Sequence, residues 1–209
     1  MTGRRGFLGL AFALAATPAA LPARAQSAMD PNRAAAFIQA TGNELVAAIN
    51  AGLSGSARRE RVAAILRRAV DVEGTGRFVL GRWWRAASSA EQQEYLRLFE
   101  ETLIRNLAAR FGEFQGVAFQ LGRSQQRTED DVLVTTIVQR PGSAAISLDW
   151  RVAEVNGQPR IVDLVAEGTS LRLTQRSEYS SVIQRGGNQV AALLAAMRNQ
   201  VAQMEARER

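Results

Sequence analysis

The hydrophobic period of this chain changes twice, and that change limits the fold more than any single motif does. From Asp30 to Phe111 apolar residues recur at helical spacing, from about Val117 to Ala166 they alternate, and from Thr169 onward helical spacing returns. Helices, then strands, then helices make an α+β layout in which one face of the sheet is covered by the preceding helices. With 209 residues, 46% of them hydrophobic, the chain suffices for one core and a small helical addition.

Local signals place the elements. Asp30 is set to cap a helix with Pro31 at its first position, and the next helix repeats Val62, Ile65, Leu66 and Ala69. Ser88 followed three residues later by Glu91 is a capping box. It opens a long helix whose Tyr95, Leu98, Phe99, Thr102, Leu103, Leu107 and Phe111 follow one face until Gly112. In the middle part Val117, Phe119 and Leu121 alternate, and Val132 to Gln139 is apolar on both faces. Ile146, Leu148, Trp150 and Val152 share a face opposite Ser147, Asp149 and Arg151. Ile161 to Val165 closes a set of four antiparallel strands, and strict alternation puts Asp163 on the side of Ile161 and Val165. Pro141-Gly142 and Asn156-Gly157 supply turns, the second a hairpin signal. Val190, Leu193, Leu194, Met197, Val201 and Met204 mark a last helix.

The chain has no Cys and no His, which removes disulfides, thiolate and imidazole metal sites, Cys nucleophiles and every Ser-His-Asp arrangement. Arg4 and Arg5, the short apolar stretch Phe7 to Ala16, and Ala23-Arg24-Ala25 before Gln26 read as a cleavable export signal over residues 1–25. Arg4-Arg5-Gly6-Phe7-Leu8 is similar to the twin-arginine form, with Sec export the alternative; the expected destination is the periplasm. Cleavage after Ala25 removes three arginines and lowers the net charge from +6 to +3. No dense basic stripe with interleaved aromatics is present, so no nucleic-acid partner is expected.

Three segments carry a resemblance. They are Gly76-Arg77-Phe78-Val79-Leu80-Gly81-Arg82-Trp83-Trp84-Arg85; Leu148-Asp149-Trp150-Arg151 with Ile161-Val162-Asp163-Leu164; and Gln175-Arg176-Ser177-Glu178-Tyr179 through Ile183-Gln184-Arg185-Gly186-Gly187. In this order, within roughly Phe37 to Ala196, the chain resembles the MlaC family of periplasmic phospholipid carriers, also called toluene-tolerance proteins.

The resemblance implies a curved four-stranded antiparallel sheet of the nuclear-transport-factor-2 type, packed on helices, with an added helical subdomain and an apolar lipid cavity. The expected lipid-binding domain spans residues 26–209, with a helical part over about 30–112, a sheet over about 116–166 and C-terminal helices over about 169–206. It further implies a monomer that is no enzyme and uses no cofactor, with bound phospholipid as cargo. Lipid would shuttle between an outer-membrane lipoprotein complex and an inner-membrane ABC transporter complex carrying an MCE-domain protein. A branch of the family is associated with hopanoid synthesis, so hopanoid or another apolar lipid is the alternative cargo.

Apolar positions on the strands and the long helix are the cavity candidates: Tyr95, Phe99, Leu103 and Leu107, with Phe119, Val134, Val138, Ile146, Leu148, Trp150, Ile161 and Val165. Ordinary core packing is the competing explanation for each. Two acyl chains of about thirty CH₂ groups, at roughly 0.8 kcal/mol each, are worth on the order of 20 kcal/mol against water, so such cargo moves only by direct exchange.

Adjacent Trp83 and Trp84 diverge by about 100° on a helix, which sends one inward and one to a rim. Trp83, Arg82 and Arg176 are head-group or rim candidates, because a guanidinium fork holds phosphate bidentately. The alternative for Arg77, Arg82, Arg85, Arg176 and Arg185 is pairing with Glu73, Glu178 or Asp163. Arg58, Arg59, Arg61, Arg67 and Arg68 lie off their helix's apolar face and read as a solvated surface or a docking face for acidic groups. An enzyme of the same architecture acting on a small apolar substrate is the competing class; without His its acid or base would come from Asp163, Asp149, Glu167 or Tyr179.

Overall fold

The computed structural model describes residues 29–112 and 116–208. The export signal expected over residues 1–25 lies outside them. Five helices come first: α1 (Pro31–Asn50), α2 (Gly55–Ala69), α3 (Val72–Leu80), the short α4 (Arg82–Ala86) and α5 (Ser89–Gly112). The strands β1 (Ala118–Gln126), β2 (Asp131–Gln139), β3 (Ile146–Val155), β4 (Gln158–Ala166) and β5 (Thr169–Ser170) follow, then α6 (Leu171–Arg185) and α7 (Val190–Arg207). Among the described residues no helix is long and apolar enough to cross a membrane.

The starts of the helices follow from their caps. The Asp30 side chain accepts from the Arg33 N–H with Pro31 inside the first turn, and Ser54 and Asp71 cap α2 and α3 in the same way. The capping box is complete: the Glu91 carboxylate accepts from the Ser88 N–H at 2.9 Å, and Ser88 Oγ accepts from the Glu91 N–H at 3.3 Å.

The five strands form one open antiparallel sheet in chain order, β1-β2-β3-β4-β5. The α+β layout is as expected, but the strand count rises from four to five. Thr169 and Ser170, placed in the C-terminal helices by periodicity, pair instead with Ala166 and Val165. The turn that allows this is Glu167-Gly168, whose φ values are 51° and 78°. Two residues are too short for any alternation to register in the sequence.

A second difference decides which way β4 faces. Arg151 pairs with Asp163 while Val152 pairs with Ile161, so a bulge at this point inserts Val162 and reverses the alternation. Ile161 lies on the helix-covered side with Val132 and Val152, whereas Asp163 and Val165 lie on the opposite side with Arg151 and Asp149. The expected sharing of one face by Ile161, Asp163 and Val165 is therefore corrected. A bulge leaves no periodic trace in five residues of sequence.

Two main cores result. In the helical layer Tyr95, Leu98 and Phe99 of α5 pack with Val79 and Leu80 of α3, Tyr179 and Ile183 of α6, and Leu193, Leu194 and Met197 of α7. Beneath α1, Met29, Ala34 and Ile38 pack with Ala69 and with Val132, Val134, Val152 and Ile161 of the sheet. Buried Arg105 ties α7 to α5 by donating to Glu101 at 2.6 Å, Glu205 at 2.8 Å and Glu208 at 2.7 Å. The arginines of α2 also serve as ties: Arg59 pairs with Glu208, Arg67 with Glu100 and Arg68 with Glu44, so these three are structural contacts more than a bare docking face.

Candidate functional site

Cross-strand register defines the helix-covered side of the sheet row by row. One row holds Val132, Val152 and Ile161; the next Val134, Trp150 and Leu164; the next Leu121, Thr136, Leu148 and Ala166; the last Phe119, Val138 and Ile146. Helix α1 packs mainly on β1 and β2 and also reaches β3 and β4, and Val132, Val134, Val152 and Ile161 are buried in one cluster with its Ala34 and Ile38. Away from it, Ile146, Leu148, Leu164 and Ala166 are only half-buried, although they point to the helix-covered side, and Leu121 is 36% exposed. Ile146, Leu148 and Leu164 also belong to none of the packed apolar clusters of the described residues. Together they make an apolar strip along β3 and β4, open to water.

The strip has identifiable borders. Trp150 closes the α1 end, packed against the buried cluster there and donating its indole N–H to Thr136 Oγ1 at 2.8 Å. At the other end Val138 packs against the small cluster that Leu107 of α5 also borders. Leu103, one turn earlier on α5, borders the helical core together with Val182 of α6. Phe119 lies under α1: a Cβ built on Gly42 would sit 2.3 Å from its ring, so only glycine lets helix and strand approach this closely.

The remaining candidates lie elsewhere. Tyr95 and Phe99 are stacked within the helical core at 5.7 Å, and the Tyr95 hydroxyl donates to the Gly76 carbonyl at 2.9 Å. Val134 and Ile161 are buried under α1, and Val165 is on the far side of the sheet. The structure thus brings Ile146, Leu148, Trp150 and Val138 onto one strip, whereas Leu103 and Leu107 border the cluster of Ala63, Leu66 and Ile104 in the helical layer. Leu164 belongs with them, and alternation hid it because the bulge at Val162 reverses its direction.

The rim candidates converge separately. Arg82, Trp83 and Arg176 line one cleft of about 310 Å³ with Leu80, Ser180 and Gln184, between α3, α4 and α6. Trp83 donates its indole N–H to Ser180 Oγ at 3.3 Å, while Trp84 packs edge-on against Tyr95 at 6.5 Å. The two tryptophans part as helical geometry requires. Ser180 and Gln184 follow Arg176 at steps of four, a spacing that places all three on one helix face. A second cleft, of about 230 Å³, opens between α5, α6 and α7 and includes Thr102, Asn106, Tyr179 and Val182. No strand residue lines either cleft.

The possible acid and base groups are engaged or turned away. Asp163 accepts from the Ser170 hydroxyl at 2.6 Å and from the Leu164 N–H at 2.9 Å, and pairs with Arg172 on the side of the sheet opposite the strip. Burial pushes its carboxyl above the ordinary carboxylate range against those hydrogen bonds and the charges of Arg151 and Arg127. Asp149 accepts from Thr135 at 2.5 Å on the same far side, and Glu167 is an exposed turn residue. Burial, and then the Glu178 charge, push the Tyr179 phenol up to about 12; Tyr95 is raised by burial further still. Among the described residues no cluster of acidic side chains is placed to hold a metal ion.

Curved sheet, helical cover and half-buried strip define an α+β domain with an apolar strip on the covered side of its sheet. The chain belongs to the MlaC protein family, whose model matches residues 39–199. Its fold is also that of a phospholipid-binding protein from Ralstonia solanacearum, solved in complex with a phospholipid. The two chains superpose with a TM-score of 0.72 at 22% identity, over 82% of this chain and 98% of the other.

Proposed function

We propose that this protein is a periplasmic phospholipid carrier that holds acyl chains in the trough over β3 and β4 and is not an enzyme. The observation that carries this reading is the half-buried strip of Ile146, Leu148 and Leu164, which faces the covered side of the sheet yet belongs to none of the packed apolar clusters of the described residues. Half-buried apolar side chains on an inward face, outside the packed clusters of the described residues, are a place for hydrocarbon from outside the chain. Membership of the MlaC family and the phospholipid held by the Ralstonia solanacearum protein support the same choice of cargo. The carboxylates and phenols named above have no place on the strip, which favours holding over chemistry.

Tail burial is non-directional and selects for chain volume more than for head-group identity. Because water is so poor a destination for the tails, lipid passes by direct contact with another apolar site. In this reading the donors and acceptors are the outer-membrane lipoprotein complex and the inner-membrane ABC transporter complex with its MCE-domain protein, and the carrier works as a monomer after removal of residues 1–25. Organic extraction of protein purified without detergent, followed by mass spectrometry, tests the reading. Co-purified phospholipid at a fixed ratio to protein is the expected result; an extract containing no lipid counts against it.

A further inference from the structure

We propose that the cleft between α3, α4 and α6 is a binding site for a phosphate ester, separate from the apolar trough. Every polar side chain that lines it carries a donor: Arg82, Trp83, Arg176, Ser180 and Gln184. Arg82 and Arg176 both line it, and neither forms an ion pair among the described residues, whereas nearby Arg77 pairs with Glu73 and Arg172 with Asp163. No carboxylate lines the cleft. Ser180 Oγ accepts from the Trp83 indole at 3.3 Å and from the Gln184 amide at 3.4 Å, which leaves its own proton to donate to a guest.

The two guanidinium groups are held in place before any guest arrives. Arg82 stacks on the Trp83 ring at 4.6 Å, and Arg176 stacks on the Phe78 ring at 5.0 Å. The Arg176 fork also lies close to Gly81, where φ is 58° and an added Cβ would sit 3.0 Å from the guanidinium. Stacked, planar, five-donor forks beside a hydroxyl donor suit a tetrahedral oxyanion better than a single carboxylate, and phosphate accepts bidentately from each. A volume of about 310 Å³ exceeds what a bare phosphate fills and leaves room for the alcohol part of an ester. Arg82 and Arg176 are exposed, so the interaction is screened by salt.

The phosphate ester comes either as a soluble small molecule or as a lipid head group at a bilayer, and calorimetry and vesicle flotation on the mature chain separate the two. Glycerol 3-phosphate is titrated into the protein, and vesicles of phosphatidylglycerol and of phosphatidylcholine are floated with it. Ester binding that falls about tenfold in the double variant Arg82→Gln, Arg176→Gln, and weakens between about 50 and about 300 mM salt, supports the site. Phosphatidylglycerol flotation lost in the same variant assigns the head-group source; ester binding without flotation assigns the soluble one. Ser180→Ala, which keeps both charges, is expected to weaken binding several-fold and guards against loss through misfolding. Absence of binding in both assays, binding unchanged in folded variants, or a glutamate peptide bound as tightly as the ester overturns the proposal.

Discussion

Leu98 on α5 and Leu148 on β3 both point to the covered side of their elements, yet Leu98 is 1% exposed and Leu148 is half-buried and outside every packed apolar cluster of the described residues. The difference is one of opposing surfaces. Leu98 belongs to a buried cluster that α5 shares with three other helices, among them α6 through Ile183 and α7 through Leu194 and Met197. Leu148 lies two rows along β3 from Val152, beyond the part of the sheet that packs with Met29, Ala34 and Ile38. A close-packed core gives stability and a single structure. An inward apolar surface without a partner gives room for a guest at the expense of burial that the chain could otherwise have had.

Truncations separate the two regions most sharply. Leu98→Ala removes packing on all sides and is expected to cost about 3 kcal/mol in chemical denaturation. A loss well under 1 kcal/mol would place Leu98 outside a close-packed core. Next comes Gly42→Ala, which drives a methyl group into the Phe119 ring; overpacking of this kind costs about 1–3 kcal/mol and breaks the seat of α1 on β1. Leu148→Ala is expected to cost less than about 1 kcal/mol in the lipid-free protein, since little packing is lost. Leu148→Trp, by contrast, fills the trough: lipid occupancy falls while circular dichroism stays unchanged. Full occupancy in that variant moves Leu148 out of the cargo site.

The smallest effect is electrostatic and lies on the far side of the sheet. Burial holds the Asp163 carboxyl above its ordinary value of 3.8, so the folded protein binds that proton more readily than the unfolded chain. Its contribution to stability therefore grows as pH falls through the window between the raised folded value and the ordinary one, and is lost as pH rises through the folded value. Denaturation at several pH values should show that slope flattened in Asp163→Asn, with lipid occupancy unaffected. A change in occupancy would tie Asp163 to the trough.

Much of the scaffold was legible. The Asp30 and Ser88-Glu91 caps, the Asn156-Gly157 hairpin turn and the apolar faces of α2, α5 and α7 all read directly from spacing, because each depends on residues within one or two turns of chain. The bulge at Val162 and the two-residue β5 did not read, since both are set by pairing with other strands. For that reason alternation alone leaves Leu164 off the strip and groups Val165 with residues from which it faces away. Tyr95 and Phe99 carry the same helical spacing as Leu103 and Leu107; which of them meet a packed core depends on α3, α6 and α7, and no local pattern records that.

Trp150 is the reporter that nature placed at the edge of the strip. In a variant carrying Trp83→Phe and Trp84→Phe it is the single tryptophan left. Exchange of the bound lipid for phospholipid brominated along its acyl chains should then quench Trp150 emission in proportion to loading, while a head-group-brominated analogue quenches less. Emission indifferent to acyl bromination at full loading would contradict acyl-chain binding over β3 and β4.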